Sequence, residues 1–165
     1  MRTYLGYDNQ REIFRCCFDG FNYDKIATYN DNDIERILQT PGMIKSLRKV
    51  KAIINNARCF QKIREEYGSF ACYLWSWSKN KTILYDKHAD GYIPVSNGLS
   101  DEISKDLKKR GFKFLGTITI YSHLQACGII NDHGSDCPRY QYITENYPCI
   151  CKRRYKEKAV HYFGD

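Results

Sequence analysis

The chain has 165 residues, of which 42% are hydrophobic and 27% charged; that is enough apolar material for one compact core and excludes a disordered or collagen-like polymer. A formal charge of +7, from 26 Lys and Arg against 19 Asp and Glu, suits a polyanionic partner but does not distinguish RNA, DNA and anionic membranes. The start, MRTYLGYDNQREIF, is no secretory signal and no apolar run is long enough to span a bilayer, so the eight cysteines read as reduced thiols, some of them candidate metal ligands, in a cytoplasmic or nuclear protein.

A helical period dominates from the beginning. Gln10 to Phe18 puts Ile13, Phe14, Cys17 and Phe18 on one face. Asn30 or Asp31 caps a second helix with Ile34, Ile37 and Leu38 as its apolar stripe. Thr40-Pro41-Gly42 ends it, because proline disfavours the helical region for its predecessor and glycine tolerates a positive φ. A longer helix is predicted from about Ser46 to Tyr67, with Leu47, Val50, Ile54, Ala57 and Phe60 near one side; Lys45, Arg48, Lys49 and Lys51 crowd its start and Gly68 closes it.

Phe70, Tyr73, Leu74 and Trp77 mark a short amphipathic helix, with one of Trp75 and Trp77 in the core and the other exposed. The stretch from Ser78 to Leu99 is polar and aperiodic and reads as a long surface loop. Ser100 is the expected N-cap of the next helix, with Asp101 and Glu102 in its first turn; it runs through Ile103 and Leu107 to Lys108-Lys109-Arg110 and stops at Gly111. FKFLG then leads into a helix from Thr117 to Cys127, ended by Gly128. Nothing alternates with a period of two. The expected fold is all-α, one helical domain over residues 1–137, followed by a basic, cysteine-containing tail at 138–165 without a clear structural signal.

LKKRGFKFLGTITIYSHLQACG, residues 107 to 128, is the most informative local pattern. Gly111 and Gly116 allow tight turning between two helices, and the second helix would present unpaired N–H groups and its positive dipole end to an anion. Lys113, flanked by Lys108, Lys109 and Arg110, would add sequence-independent attraction to phosphates. The competing reading is that the glycines only cap two packed helices and the lysines solvate a surface. Pro41-Gly42-Met43-Ile44-Lys45 has a similar look and is either a second backbone contact or a helix connection.

Three segments, PGMIKSLRKVKAIINNARCF (41–60), GSFACYLWSW (68–77) and LSDEISKDLKKRGFKFLGTITIYSHLQACGIINDH (99–133), together resemble the 3-methyladenine DNA glycosylase I family, over about Arg11 to Cys137. The resemblance implies an all-α helix-hairpin-helix fold in which Gly111, Lys113, Gly116 and Thr117 contact DNA. It implies base-excision repair: a monomer acting on double-stranded DNA with alkylated adenine, turning 3-methyladenine out of the duplex and hydrolysing its N-glycosidic bond. It also implies zinc, bound in the family by an N-terminal Cys and His with a C-terminal His and Cys.

The C-terminal zinc pair matches His133 and Cys137, and a serine of the family's base pocket matches Ser122. The family's N-terminal ligands, its base-recognising Glu and most of its stacking aromatics fall upstream of where this sequence begins, so no residue here is carried over as the catalytic acid; Asp132 could stabilise an oxocarbenium-like sugar, though a structural role is the preferred reading. A second reading follows, a catalytically inactive or diverged DNA-binding paralogue that keeps the hairpin without the pocket. Cys149 and Cys151 are candidate substitute zinc ligands; otherwise they are free thiols of the tail. Cys16-Cys17, Cys59, Cys72 and Cys127 are expected in the core, Asp132 is expected to cap or orient the His133 segment, and His88 and His123 have no evident partner.

Overall fold

The computed structural model describes residues 5–85 and 94–152. The chain divides into two compact units, Met1–Phe70 with Leu107–Phe114 and Ala71–Asp106 with Leu115–Asp165.

The first unit holds α1 (Leu5–Cys17), a 3-10 turn (Asp19–Phe21), α2 (Tyr23–Ala27), α3 (Asp31–Gln39) and α4 (Leu47–Tyr67). Local signals explain the longer helices. The Asn30 side chain accepts from the backbone of Asn32 and Asp33 while the Asp33 carboxylate accepts from Asn30 N–H, a full capping box at the start of α3. Ser46 caps α4, and Gly68, at φ 80°, ends it. Phe18, Ile26, Ile34, Ile37, Val50 and Ile54 are buried together in one cluster, which joins the stripes predicted for α1, α3 and α4. The 3-10 turn and α2 left no periodic trace because neither is long enough to show one. Asn22 caps α2 by accepting from the N–H groups of Asp24 and Lys25.

The second unit contains α5 (Phe70–Ser76) from Ala71 onward, β1 (Thr82–Tyr85), most of α6 (Gly98–Lys109), α7 (Thr117–Ala126), α8 (Pro138–Asn146) and β2 (Cys149–Lys152). The mostly helical expectation holds, with one addition. β1 and β2 pair in parallel, Thr82 opposite Cys149 and Tyr85 opposite Lys152. On the other side Ile83 N–H donates to Ile129 C=O at 2.8 Å and Ile83 C=O accepts from Asn131 N–H at 3.0 Å. The stretch read as a surface loop therefore contains a strand whose Ile83 is fully buried. Four residues are too few to show a period, and their partners lie far along the chain. The tail likewise forms a helix and a strand up to Lys152.

Smaller expectations also shift. Asn97, not Ser100, caps α6: its side chain accepts from Ser100 N–H at 3.0 Å, and the Ser100 hydroxyl accepts from Asn97 N–H at 2.9 Å. Ser100 is thus the third helical residue of a reciprocal cap. Cys17 and Cys59 are buried as expected, but Cys16, Cys72 and Cys127 are exposed, since helix positions neighbouring an apolar stripe face away from it. Trp75 and Trp77 are both half-buried, with Trp77 edge-on to Tyr73 at 6.2 Å. Among the described residues, no helix is long and apolar enough to cross a membrane.

Candidate nucleic-acid interface

The predicted hairpin begins in the first unit, where α6 unwinds. Gly111 N–H donates to Lys108 C=O and Phe112 N–H to Leu107 C=O, each at 3.0 Å. Gly111 sits at φ +95°, and a Cβ there would lie 3.3 Å from the Cys59 sulfur, so the glycine is needed both for conformation and for space.

Two α4 side chains then hold the turn. Asn55 Nδ2 donates to Gly111 C=O at 2.8 Å. Asn56 Nδ2 donates to Lys113 C=O at 2.9 Å while its Oδ1 accepts from Lys113 N–H at 2.8 Å. One amide thus satisfies both backbone groups of Lys113 and leaves its ammonium exposed to solvent. Neither asparagine was singled out from the sequence. The available signal is the Asn55-Asn56 pair inside a long helix, where asparagine is a poor helix former and needs another reason to be present.

Phe114 follows at φ 56° with half of its surface exposed, and the Arg48 guanidinium lies 4.9 Å from its ring centroid. A bulky residue in the left-handed region is strained, and such strain persists only where neighbours over-determine it. The basic residues divide by what they touch. Lys108, Lys109 and Lys113 are exposed, whereas Arg110 pairs with Glu66 at 2.5 Å and donates to the Tyr67 hydroxyl. Lys45 donates to the carbonyls of Leu38 and Thr40. That spends its charge on the C-terminus of α3.

The second unit carries the start of α7. Gly116 is its N-cap in an extended conformation, and no side chain caps the first turn, which leaves those N–H groups to solvent or a ligand. The Thr117 hydroxyl lies 2.7 Å from the Ser100 hydroxyl, so Thr117 offers a ligand its backbone while its side chain anchors to α6. Ser122 is exposed on α7.

Beyond α7, the buried Asp132 carboxylate accepts from Tyr121 Oη at 2.6 Å and Gln125 Nε2 at 2.8 Å. Asn131, one residue earlier, accepts from His133 N–H at 3.2 Å. The roles predicted for Asp132 are thus divided: Asp132 ties the segment to α7 and Asn131 sets the His133 backbone. Cys137 Sγ lies 3.7 Å from His133 Nδ1, close to the roughly 3.6 Å edge between a sulfur and a nitrogen ligand on tetrahedral zinc.

Cys149 and Cys151 do not complete that set. Cys149 Sγ faces the carbonyls of Tyr147 and Ile143, and burial, with a smaller push from Cys151, holds its thiol above the ordinary value. Among the described residues, no group of three or more metal-ligating side chains comes together. His123, without an evident partner in the sequence, has Cys127 Sγ at 3.6 Å from Nε2. His88 lies outside the described residues.

A family model for methyladenine glycosylases matches residues 4–140. The chain belongs to the methyladenine glycosylase family. It is 40% identical over 131 residues to DNA-3-methyladenine glycosylase 1 of Escherichia coli (strain K12), covering 79% of this chain and 70% of that protein. To the DNA-3-methyladenine glycosylase of Haemophilus influenzae it is 35% identical over 129 residues, 78% of this chain and 70% of that one. A solved structure of 3-methyladenine DNA glycosylase I in complex with 3-methyladenine superposes with a TM-score of 0.71 at 35% identity, over 82% of this chain and 73% of that chain. Membership explains why the most specific sequence segment, 105–133, includes both the turn that α4 holds and the uncapped start of α7.

Proposed function

We propose that this chain is a 3-methyladenine DNA glycosylase of base-excision repair, binding double-stranded DNA as a monomer and releasing alkylated adenine. The observation that carries the reading is the 111–114 turn, held by Asn55 and Asn56 with Lys113 exposed, in a chain 40% identical to the Escherichia coli enzyme. Gly111 and Lys113 in the first unit, and Gly116 and Thr117 in the second, are the proposed DNA contacts, and exposed Ser122 a wall of the base pocket. A cytoplasmic or nuclear location is part of this proposal.

The chemistry suits a protein that binds and positions more than it protonates. A base inside the stack is unreachable, and a damaged, weakly paired base costs least to extrude. Methylation at N3 makes the base cationic, so it departs with the bonding electron pair as a neutral molecule. Water adds to C1′ of the deoxyribose and loses a proton. No side chain is assigned as catalytic acid or base.

Incubating the protein with duplex DNA containing 3-methyladenine and measuring free base tests the reading. Release above the spontaneous rate is expected, and salt-sensitive DNA binding with no release would overturn the enzymatic part. Lys113→Glu is expected to weaken binding alike on all DNA sequences, because a lysine on a backbone-reading turn meets phosphates and not base edges. A sequence-selective loss would contradict this.

We also propose that His133 and Cys137 supply two ligands to a zinc ion, which would tie down the 131–137 segment. Their 3.7 Å separation supports it, and no reaction step passes through the metal. Metal analysis of the purified protein should find zinc that is lost in Cys137→Ser; equal zinc in both proteins would remove these residues as ligands.

A further inference from the structure

The C-terminal end of α7 carries a His–Cys pair of its own. His123 and Cys127 are both exposed, and Cys127 Sγ lies 3.6 Å from His123 Nε2. Residues four apart on a helix share a face, so α7 alone brings the two side chains together. The same His-x-x-x-Cys spacing recurs at His133 and Cys137. Among the described residues, neither His123 nor Cys127 has another side-chain hydrogen-bond partner.

Two uses of such a pair can be weighed against each other. A nucleophilic cysteine needs its thiol held below the ordinary value by the neighbouring imidazole. Here burial pushes the Cys127 thiol up instead, so the pair is a neutral thiol beside an imidazole and not a thiolate–imidazolium couple. Metal binding asks for geometry first. A sulfur and a nitrogen bound to tetrahedral zinc at about 2.3 and 2.0 Å lie roughly 3.6 Å apart, which is the separation the helix already provides. The place also favours a cation. Cys127 is the C-cap of α7, its N–H donating to His123 C=O at 2.9 Å, so the pair sits at the negative end of the helix dipole. His123 is the only basic residue of that last turn, which leaves the end of α7 without a Lys or Arg to repel the ion.

We propose that His123 Nε2 and Cys127 Sγ chelate a zinc-type divalent ion at the C-terminal end of α7, a metal site separate from His133 and Cys137. No group of three or more ligating side chains comes together among the described residues, so the two pairs do not form one four-ligand site. On binding, the Cys127 thiol releases its proton to solvent as the sulfur–metal bond forms. The neutral His123 ring gives its Nε2 lone pair and keeps its proton on Nδ1. Water fills the two remaining tetrahedral positions. The ion fastens the last turn of α7, from which the chain runs directly into residues 129–131 beside β1. The site depends neither on base excision nor on zinc at His133 and Cys137.

The test titrates the reduced full chain with Co2+ and follows the sulfur-to-cobalt charge-transfer band. Cys137→Ser removes the other pair; in that variant the band should appear and saturate at one ion per chain. Adding Cys127→Ser should abolish it. Adding His123→Phe to Cys137→Ser should keep a weaker site, with Kd raised by more than the about tenfold that losing an outer-shell partner costs. Zn2+ should then erase the visible cobalt bands, since a d10 ion has none. It should also raise the Tm of Cys137→Ser but not of Cys127→Ser/Cys137→Ser. Both positions are exposed, so the substitutions leave the core untouched, and circular dichroism checks this. No band in Cys137→Ser would overturn the proposal, as would a band that survives Cys127→Ser, which would place the ion on other thiols. An unchanged Kd in the His123→Phe variant would also overturn it. Saturation at half an ion per chain, with dimers in sedimentation, would replace the chelate by an ion shared between copies.

Discussion

Asn56 shows how a single side chain can set the shape of a binding turn. Its amide meets both backbone groups of Lys113, so truncation leaves a donor and an acceptor without partners at once. Because both are near the surface, water replaces much of what is lost, and Asn56→Ala should cost about 1 kcal/mol by urea denaturation. The DNA affinity should fall several-fold, out of proportion to stability, because the turn would no longer be held in its binding shape before contact. Equal affinity in the variant would mean that the turn keeps its shape without α4. Tyr29 makes a different kind of test. Burial, and then its hydrogen bond to Asp19, push its phenol up to about 12. The unfolded chain would release that proton near 10, so the native state holds it more tightly over that interval. Its contribution to stability is fully present below about pH 10 and is lost as pH rises toward 12. Tyr29→Phe should therefore show a shallower decline across this window, read from denaturation midpoints.

At the scale of elements, Gly111 and β1 each carry a clear expectation. Gly111→Ala would place a Cβ in the left-handed region and 3.3 Å from the Cys59 sulfur, so a loss of about 1–2 kcal/mol is expected. Cys59→Ala in the same background should return only the part due to crowding. β1 is decided by Ile83, fully buried between β2 and residues 129–131. Ile83→Ala should cost about 2–5 kcal/mol, as for other buried isoleucines, whereas Val95→Ala, at a site 47% exposed, should stay within about 0.5 kcal/mol. Similar small losses at both positions would restore the surface-loop reading of residues 78–99.

For the whole molecule, the charge of +7 matters through what occupies each cation. Arg110 and Lys45 are spent on internal partners, and Lys108, Lys109 and Lys113 are exposed around the turn. Binding to any duplex should therefore weaken steeply with added salt, by about tenfold or more between 50 and 200 mM if three or more phosphates are neutralised. A flat salt dependence would set the electrostatic account aside.

Most helix positions, a cap at Asn30 or Asp31, the stops at Gly68, Gly111 and Gly128, and the family itself were legible in the sequence, because each depends on residues close in the chain or on a long specific motif. The tertiary structure decided the rest, through partners far apart in sequence. It showed which basic residues remain exposed, that Asn55 and Asn56 hold a turn more than fifty residues away, and that TILY is a buried strand. It also drew Asn97 into the α6 cap and kept Cys149 and Cys151 from joining His133 and Cys137. Local propensity cannot report such pairings, since an asparagine, a lysine or a four-residue apolar run takes its role from what the fold brings opposite it.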